Sequence, residues 1–100
     1  MAEALILEFD GVGKADYDKV NGLLGIDPTT PDSDWPDGLQ FHSGGSTDDG
    51  TFVVTEIWAS RAANEAFMAG RLGAALAQAG VPAPSRATWV SLLTATHITG

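Results

Sequence analysis

Hydrophobic and polar positions alternate along the chain in six blocks. Ala4 to Phe9 is short, rich in Leu and Ile, and stopped by Asp10-Gly11, which predicts a first strand. Lys14 to Leu24 sets Tyr17, Val20, Leu23 and Leu24 near one stripe, with Asp16, Asp18 and Lys19 mostly outside it, and Gly25 stands where a helix cap belongs. This predicts a short amphipathic helix. Leu39 to Thr47 and Thr51 to Ala59 read as two strands around Asp48-Asp49-Gly50, an acidic, glycine-ended loop suited to a hairpin. Ser60 is a suitable N-cap for a second helix over Arg61 to Ala79, weakened in its middle by Gly70 and Gly73 and ended by Gly80 with Pro82 beyond. Arg86 to His97, with Trp89, Val90, Leu92 and Leu93, closes the chain as a last strand. Between the first helix and the hairpin, residues 26–38 carry Pro28, Pro31 and Pro36 among Asp27, Asp32, Asp34 and Asp37, which predicts successive turns in a surface loop long enough to be functional.

The order strand, helix, strand, strand, helix, strand over residues 1–100 is that of one ferredoxin-like α+β domain: a four-stranded antiparallel sheet with two helices on one face. Nearly every strand is apolar at both parities, as in Leu5 and Ile6, Phe52 and Val53, Leu92 and Leu93. Strands of that kind need cover on both faces. With only two helices available, a second copy of the sheet is the most economical cover, so a homodimer is expected.

Composition narrows the partners. The net charge is -8, which argues against a groove built on phosphate neutralisation, so no nucleic acid is expected. Residues 1–50 hold eleven acids and two lysines, whereas the second half holds two acids and three arginines, so two copies can present opposite-sign surfaces to each other. The first ten residues have no basic leader, and Glu8 interrupts their apolar run, so neither a signal peptide nor a membrane association is expected and the expected location is the cytoplasm. The absence of cysteine excludes a disulfide framework and a thiol nucleophile. No His-x-x-x-His or Glu-x-x-His pair occurs, and the loop aspartates lack the spacing of a dedicated calcium site, so no metal is expected.

Val54-Thr-Glu-Ile-Trp58-Ala-Ser60, running from the third strand into the second helix, and the Phe67 to Leu76 stretch with Arg71-Leu72-Gly73, resemble the dimeric α+β barrel superfamily and, within it, the small antibiotic-biosynthesis-monooxygenase-like proteins. The resemblance spans nearly the whole chain. It implies a homodimer whose sheets pack into a barrel, with a pocket in each protomer between sheet and helices for a small apolar or aromatic ligand. Relatives include oxygenases that act on aromatic polyketides without a cofactor, and on that branch no cofactor is expected here. Heme-degrading relatives use a strand tryptophan, a second-helix histidine and a first-strand asparagine. Trp58 matches the first, but the second helix has no histidine and the first strand no asparagine.

Two histidines occur, His42 and His97, on strands that this topology places at opposite sheet edges, ~14 Å apart at the usual strand spacing and so too far to share a ligand within one chain. The hairpin register decides what His42 does. A two-residue turn at Asp49-Gly50 puts it opposite Ile57 and away from Trp58; a three-residue Asp48-Asp49-Gly50 turn with a glycine bulge puts it opposite Glu56. A further bulge at Gly44-Gly45 would reverse the parity again. The three-residue turn is favoured, because Asp-Asp-Gly suits a type I turn followed by a left-handed glycine.

On that register His42 and Glu56 are the candidate catalytic base and its orienter, with Trp58, Trp89, Tyr17, Phe41 and Phe67 as candidate substrate-binding walls and Arg71 as a contact for an anionic group. Each has a plainer reading: the aromatics fill the core, Glu56 faces water and Arg71 is solvated. Trp35, between prolines, is expected to fold over the pocket mouth or the neighbouring protomer. Two functions follow, a cofactor-independent monooxygenase-like enzyme or a non-catalytic ligand-binding or structural dimer of the same fold.

Overall fold

Burial alternates residue by residue in the two central strands. β1 (Glu3–Phe9) buries Leu5, Leu7 and Phe9, and β3 (Phe52–Trp58) buries Phe52, Val54, Glu56 and Trp58, while the residues between them stay half-buried. This is the period of a sheet covered by helices on one side. A computed structural model of the protein describes residues 2–98. β2 (Leu39–Ser46) and β4 (Arg86–Ser91) complete an antiparallel sheet in the order β2-β3-β1-β4, the ferredoxin-like arrangement.

α1 (Lys14–Leu24) has the predicted bounds. Asp16 accepts the Gly13 N–H at 3.1 Å at its start, and at its end Gly25 turns left-handed while Ile26 N donates to Asn21 O at 2.9 Å, which satisfies an otherwise orphaned carbonyl. The second helical segment begins where Ser60 Oγ accepts from Ala63 N at 3.2 Å. It runs as α2 (Arg61–Phe67), a π-helical turn over Met68–Leu72 and α3 (Gly73–Ala79), with helical backbone throughout. At Gly73 a Cβ would stand 2.6 Å from the Met68 carbonyl oxygen. The glycine that weakens the helix on propensity is therefore what lets the wide turn form.

The hairpin follows the three-residue turn. Gly50 N donates to Thr47 O at 3.0 Å, Gly50 sits at φ 89°, and Thr47 N donates to Thr51 O at 2.9 Å, a type I turn closed by a left-handed glycine. The register then runs without a break from Ser46 opposite Phe52 to Phe41 opposite Ile57, with His42 opposite Glu56. The irregularity lies not at Gly44-Gly45 but at Gln40, between Leu39 and Phe41, and it allows Leu39 and His42 to face the same side.

β4 stops at Ser91 rather than reaching His97, because its one neighbour, β1, has its last paired residue there: Glu3 lies opposite Ser91. His97 lies beyond the sheet and is exposed. The core gathers Leu5, Leu7, Phe9, Val54, Trp58, Phe67 and Leu76 between the sheet and the helices. The opposite face, with Ile6, Val53 and Ile57 half-buried and Phe41 and Val90 exposed, has no cover among the described residues. Among the described residues no helix is long and apolar enough to cross a membrane.

Candidate functional site

The sheet register places His42 and Glu56 side by side on the inner face. A carboxylate can only accept, so the histidine carries its proton on Nδ1 and donates it to Glu56 Oε2 at 2.9 Å. Glu56 is 6% exposed, and its other oxygen, Oε1, accepts the indole N–H of Trp58 at 3.1 Å. Both oxygens of a buried carboxylate are thus satisfied, which a lone glutamate in an apolar strand would not achieve. With Nδ1 protonated, Nε2 is an acceptor, and the Tyr17 hydroxyl donates to it.

Tyr17 reaches His42 from α1, across β2, and Gly44 makes the path. An added Cβ at Gly44 would lie 3.0 to 3.1 Å from the Tyr17 ring and hydroxyl. The rings of Tyr17 and His42 stack with centroids 5.9 Å apart, and the Phe52 ring packs tilted against the phenol at 5.1 Å. Burial pushes the Tyr17 phenol above its ordinary value; the neighbouring Asn21 amide opposes that rise, and the charges of Glu56 and Asp18 add to it.

Tyr17, His42 and Glu56 border a cavity of about 70 Å³ between sheet and helices, walled by apolar side chains including Leu7, Val20, Val54 and Phe67. On the far side of Trp35 an open groove of about 410 Å³ runs along β2, lined by Pro28, Pro31, Gln40 and Phe41. Trp35, Leu39 and His42 line both spaces and so form the wall between them. Trp35 lies over His42 at 5.1 Å, and its indole N–H donates to Thr30 O at 2.9 Å. The loop aspartates serve the chain itself: Asp27 caps Thr29, and Asp34 pairs with Arg71.

Of the candidates named from sequence, His42, Glu56, Tyr17 and Phe67 border the cavity. Trp58 is fully buried and touches the site through Glu56. Trp89 lies elsewhere, near the N-terminal end of β1, under the Arg61 guanidinium at 5.1 Å. Phe41 is on the outer face and meets only the groove. Arg71 does not line the cavity and holds the loop, donating to Leu24 O at 3.0 Å and to Asp34 O at 2.9 Å. Asn21, a buried amide bordering the cavity, is not among the residues singled out from sequence. Its signal was there: four residues after Tyr17 and one after Val20, it falls on the buried stripe of α1.

The architecture is similar to that of several solved structures. A Chloroflexus aurantiacus J-10-fl protein assigned to the antibiotic biosynthesis monooxygenases is 13% identical, with a TM-score of 0.65, over 99% of this chain and 100% of that one. The monooxygenase from the ActVA-Orf6 gene of Streptomyces coelicolor, solved in complex with nanaomycin D, is 20% identical, with a TM-score of 0.58, over 98% and 92% of the two chains. A dimeric ferredoxin-like protein from Thermobifida fusca YX is 19% identical, with a TM-score of 0.52, over 90% and 88%. No protein-family model matches the sequence. No curated protein matches it. The chain has the ferredoxin-like α+β fold of the antibiotic-biosynthesis-monooxygenase structures, and at these identities the likeness shows the fold alone.

Proposed function

We propose that the protein is a homodimeric, cofactor-independent monooxygenase of hydroxylated aromatic substrates. The observation that carries this reading is the hydrogen-bonded chain Tyr17, His42, Glu56 at the edge of an apolar cavity. A substrate hydroxyl donating to the Tyr17 oxygen passes its proton to it as the Tyr17 proton moves to His42 Nε2, leaving an aromatic anion beside an imidazolium held by Glu56. That anion is the electron donor. Oxygen adds to a ring carbon bearing hydrogen, the O–O bond breaks, and one oxygen leaves as water while the other stays as a quinone carbonyl. All four electrons taken up by oxygen come from the ring, so the balance needs no external reductant. The solved complex of the Streptomyces coelicolor monooxygenase with nanaomycin D supports an aromatic ligand for this fold.

The dimer belongs to the same proposal. The outer sheet face, with Ile6, Val53, Ile57, Phe41 and Val90, is the surface a second copy would cover, and the Thermobifida fusca relative is described as dimeric.

The test is oxygen uptake with a panel of naphthols, read together with quinone absorbance. One oxygen consumed per quinone formed, with none returned by catalase, is the expected stoichiometry. His42→Asn keeps an amide donor near the Nδ1 position for Glu56 and removes the Nε2 acceptor, and it is expected to lower kcat/KM by at least ~10²-fold. One observation favours the non-catalytic reading. A benzene ring occupies a cavity of about 150 Å³, roughly twice the space beside His42. Tight ligand binding without uptake across the panel would establish that reading instead.

A further inference from the structure

Asn21 is a buried polar group at the cavity that lies outside the hydrogen-bonded sequence Tyr17, His42, Glu56. It is 7% exposed, it borders the cavity from α1, and its Nδ2 has no hydrogen-bond partner. Leaving a buried amide N–H unpaired is costly, so a side chain kept only for stability would be apolar here, as its neighbours Val20 and Leu24 are. The amide also stands one helical turn from the Tyr17 phenol, on the same face, and its presence makes an anionic oxygen at that position less unfavourable.

We infer that Asn21 Nδ2 and the Tyr17 hydroxyl together hold the oxygen of a phenolate or enolate ligand, with Asn21 supplying the donor that strengthens as the oxygen becomes charged. This rests on the aromatic-substrate reading above and deepens it. Tyr17 takes the proton and His42 stores it; Asn21 then donates to the oxygen that has lost it. The donor is already desolvated, so it needs no rearrangement when charge appears. Asn21 donates an existing N–H and exchanges no proton, and the surrounding Leu7, Val20, Val54 and Phe67 provide little competing hydration. The recognised chemistry is an acidic hydroxyl on an otherwise apolar ring.

The probe is 4-nitrophenol, whose phenolate absorbs separately from the neutral form. With protein in excess, the pH midpoint of the bound probe is compared with that of free probe and between the unaltered protein and Asn21→Leu. A hydrogen bond to a charged oxygen is stronger than one to a neutral oxygen, so the substitution is expected to raise the bound midpoint by about one unit, a tenfold loss of phenolate at fixed pH. The same variant is expected to keep or raise the melting temperature, since it removes an unpaired buried amide. Asn21→Ala serves as a second variant if leucine does not fit.

The outcomes separate the two readings. Failure of 4-nitrophenol to bind the unaltered protein overturns the aromatic pocket and this inference with it. Binding with the same midpoint in both proteins overturns this inference alone. A melting temperature lowered by several degrees in both variants, with the midpoint unmoved, assigns Asn21 a structural role and likewise overturns it.

Discussion

Ile57 and Trp58 are adjacent on β3 and point to opposite sides of the sheet. Trp58 is fully buried among core side chains and bonded to Glu56, while Ile57 is half-buried on a face that none of the described residues covers. The two faces differ less in side chains than in what lies over them. Both are largely apolar, yet only the inner one carries a buried polar chain, and every member of that chain has its partner. A single protomer thus completes the inner face, including its candidate chemistry; the outer face is the one the proposed dimer would cover.

Substitutions on the two faces should therefore fail in different ways. The largest effect is expected from Trp58→Ala, which leaves a cavity and removes a donor from Glu56; a loss of about 3–5 kcal/mol is expected in denaturant titrations, independent of protein concentration. Ile57→Lys is expected to leave the far-ultraviolet circular dichroism unchanged and to shift light scattering at micromolar concentration from dimer mass to monomer mass. A protein that is monomeric without any substitution would break the comparison, because the outer face would then be wet by design.

A smaller effect, confined to the inner face, is expected from Gly44→Ala. The methyl would crowd the Tyr17 ring at 3.0 Å, costing about 1–3 kcal/mol, and would separate the phenol from His42. The subtlest prediction concerns alkaline pH. Tyr17 is held protonated to higher pH in the fold than in the unfolded chain, where it ionises near 10. Above that value the unfolded state binds fewer protons, so the contribution present at lower pH is lost as pH rises from about 10 through the folded value. Tyr17→Phe should flatten the alkaline limb of stability against pH, and an unchanged limb would place the phenol in water.

Much of this was legible from local chemistry. Ser60, Gly25 and Gly80 mark helix ends by the backbone groups they satisfy, and Asp48-Asp49-Gly50 selects the turn that puts His42 opposite Glu56. What was not legible depends on contacts distant in sequence. The irregularity at Gln40 has no glycine to announce it and arises because Leu39 must meet Trp58 on the inner face. The Arg86 to His97 run is apolar enough for a longer strand, but its length is set by where β1 runs out of partners. Arg71 looked like an anion contact amid alanines, and only the path of residues 26–38 brings Asp34 and the Leu24 carbonyl to it.

That last contact bears on how a ligand would be admitted. Trp35, Leu39 and His42 separate a 70 Å³ cavity from a 410 Å³ groove, and Arg71 fastens the loop bearing Trp35 through Asp34. A ring needing about twice the inner volume enters only conformations in which that partition has shifted. Its apparent dissociation constant is the intrinsic one divided by the fraction of molecules so shifted; at a fraction of about 1%, affinity falls about a hundredfold. The Arg71 guanidinium, which does not line the cavity, fastens one side of that partition.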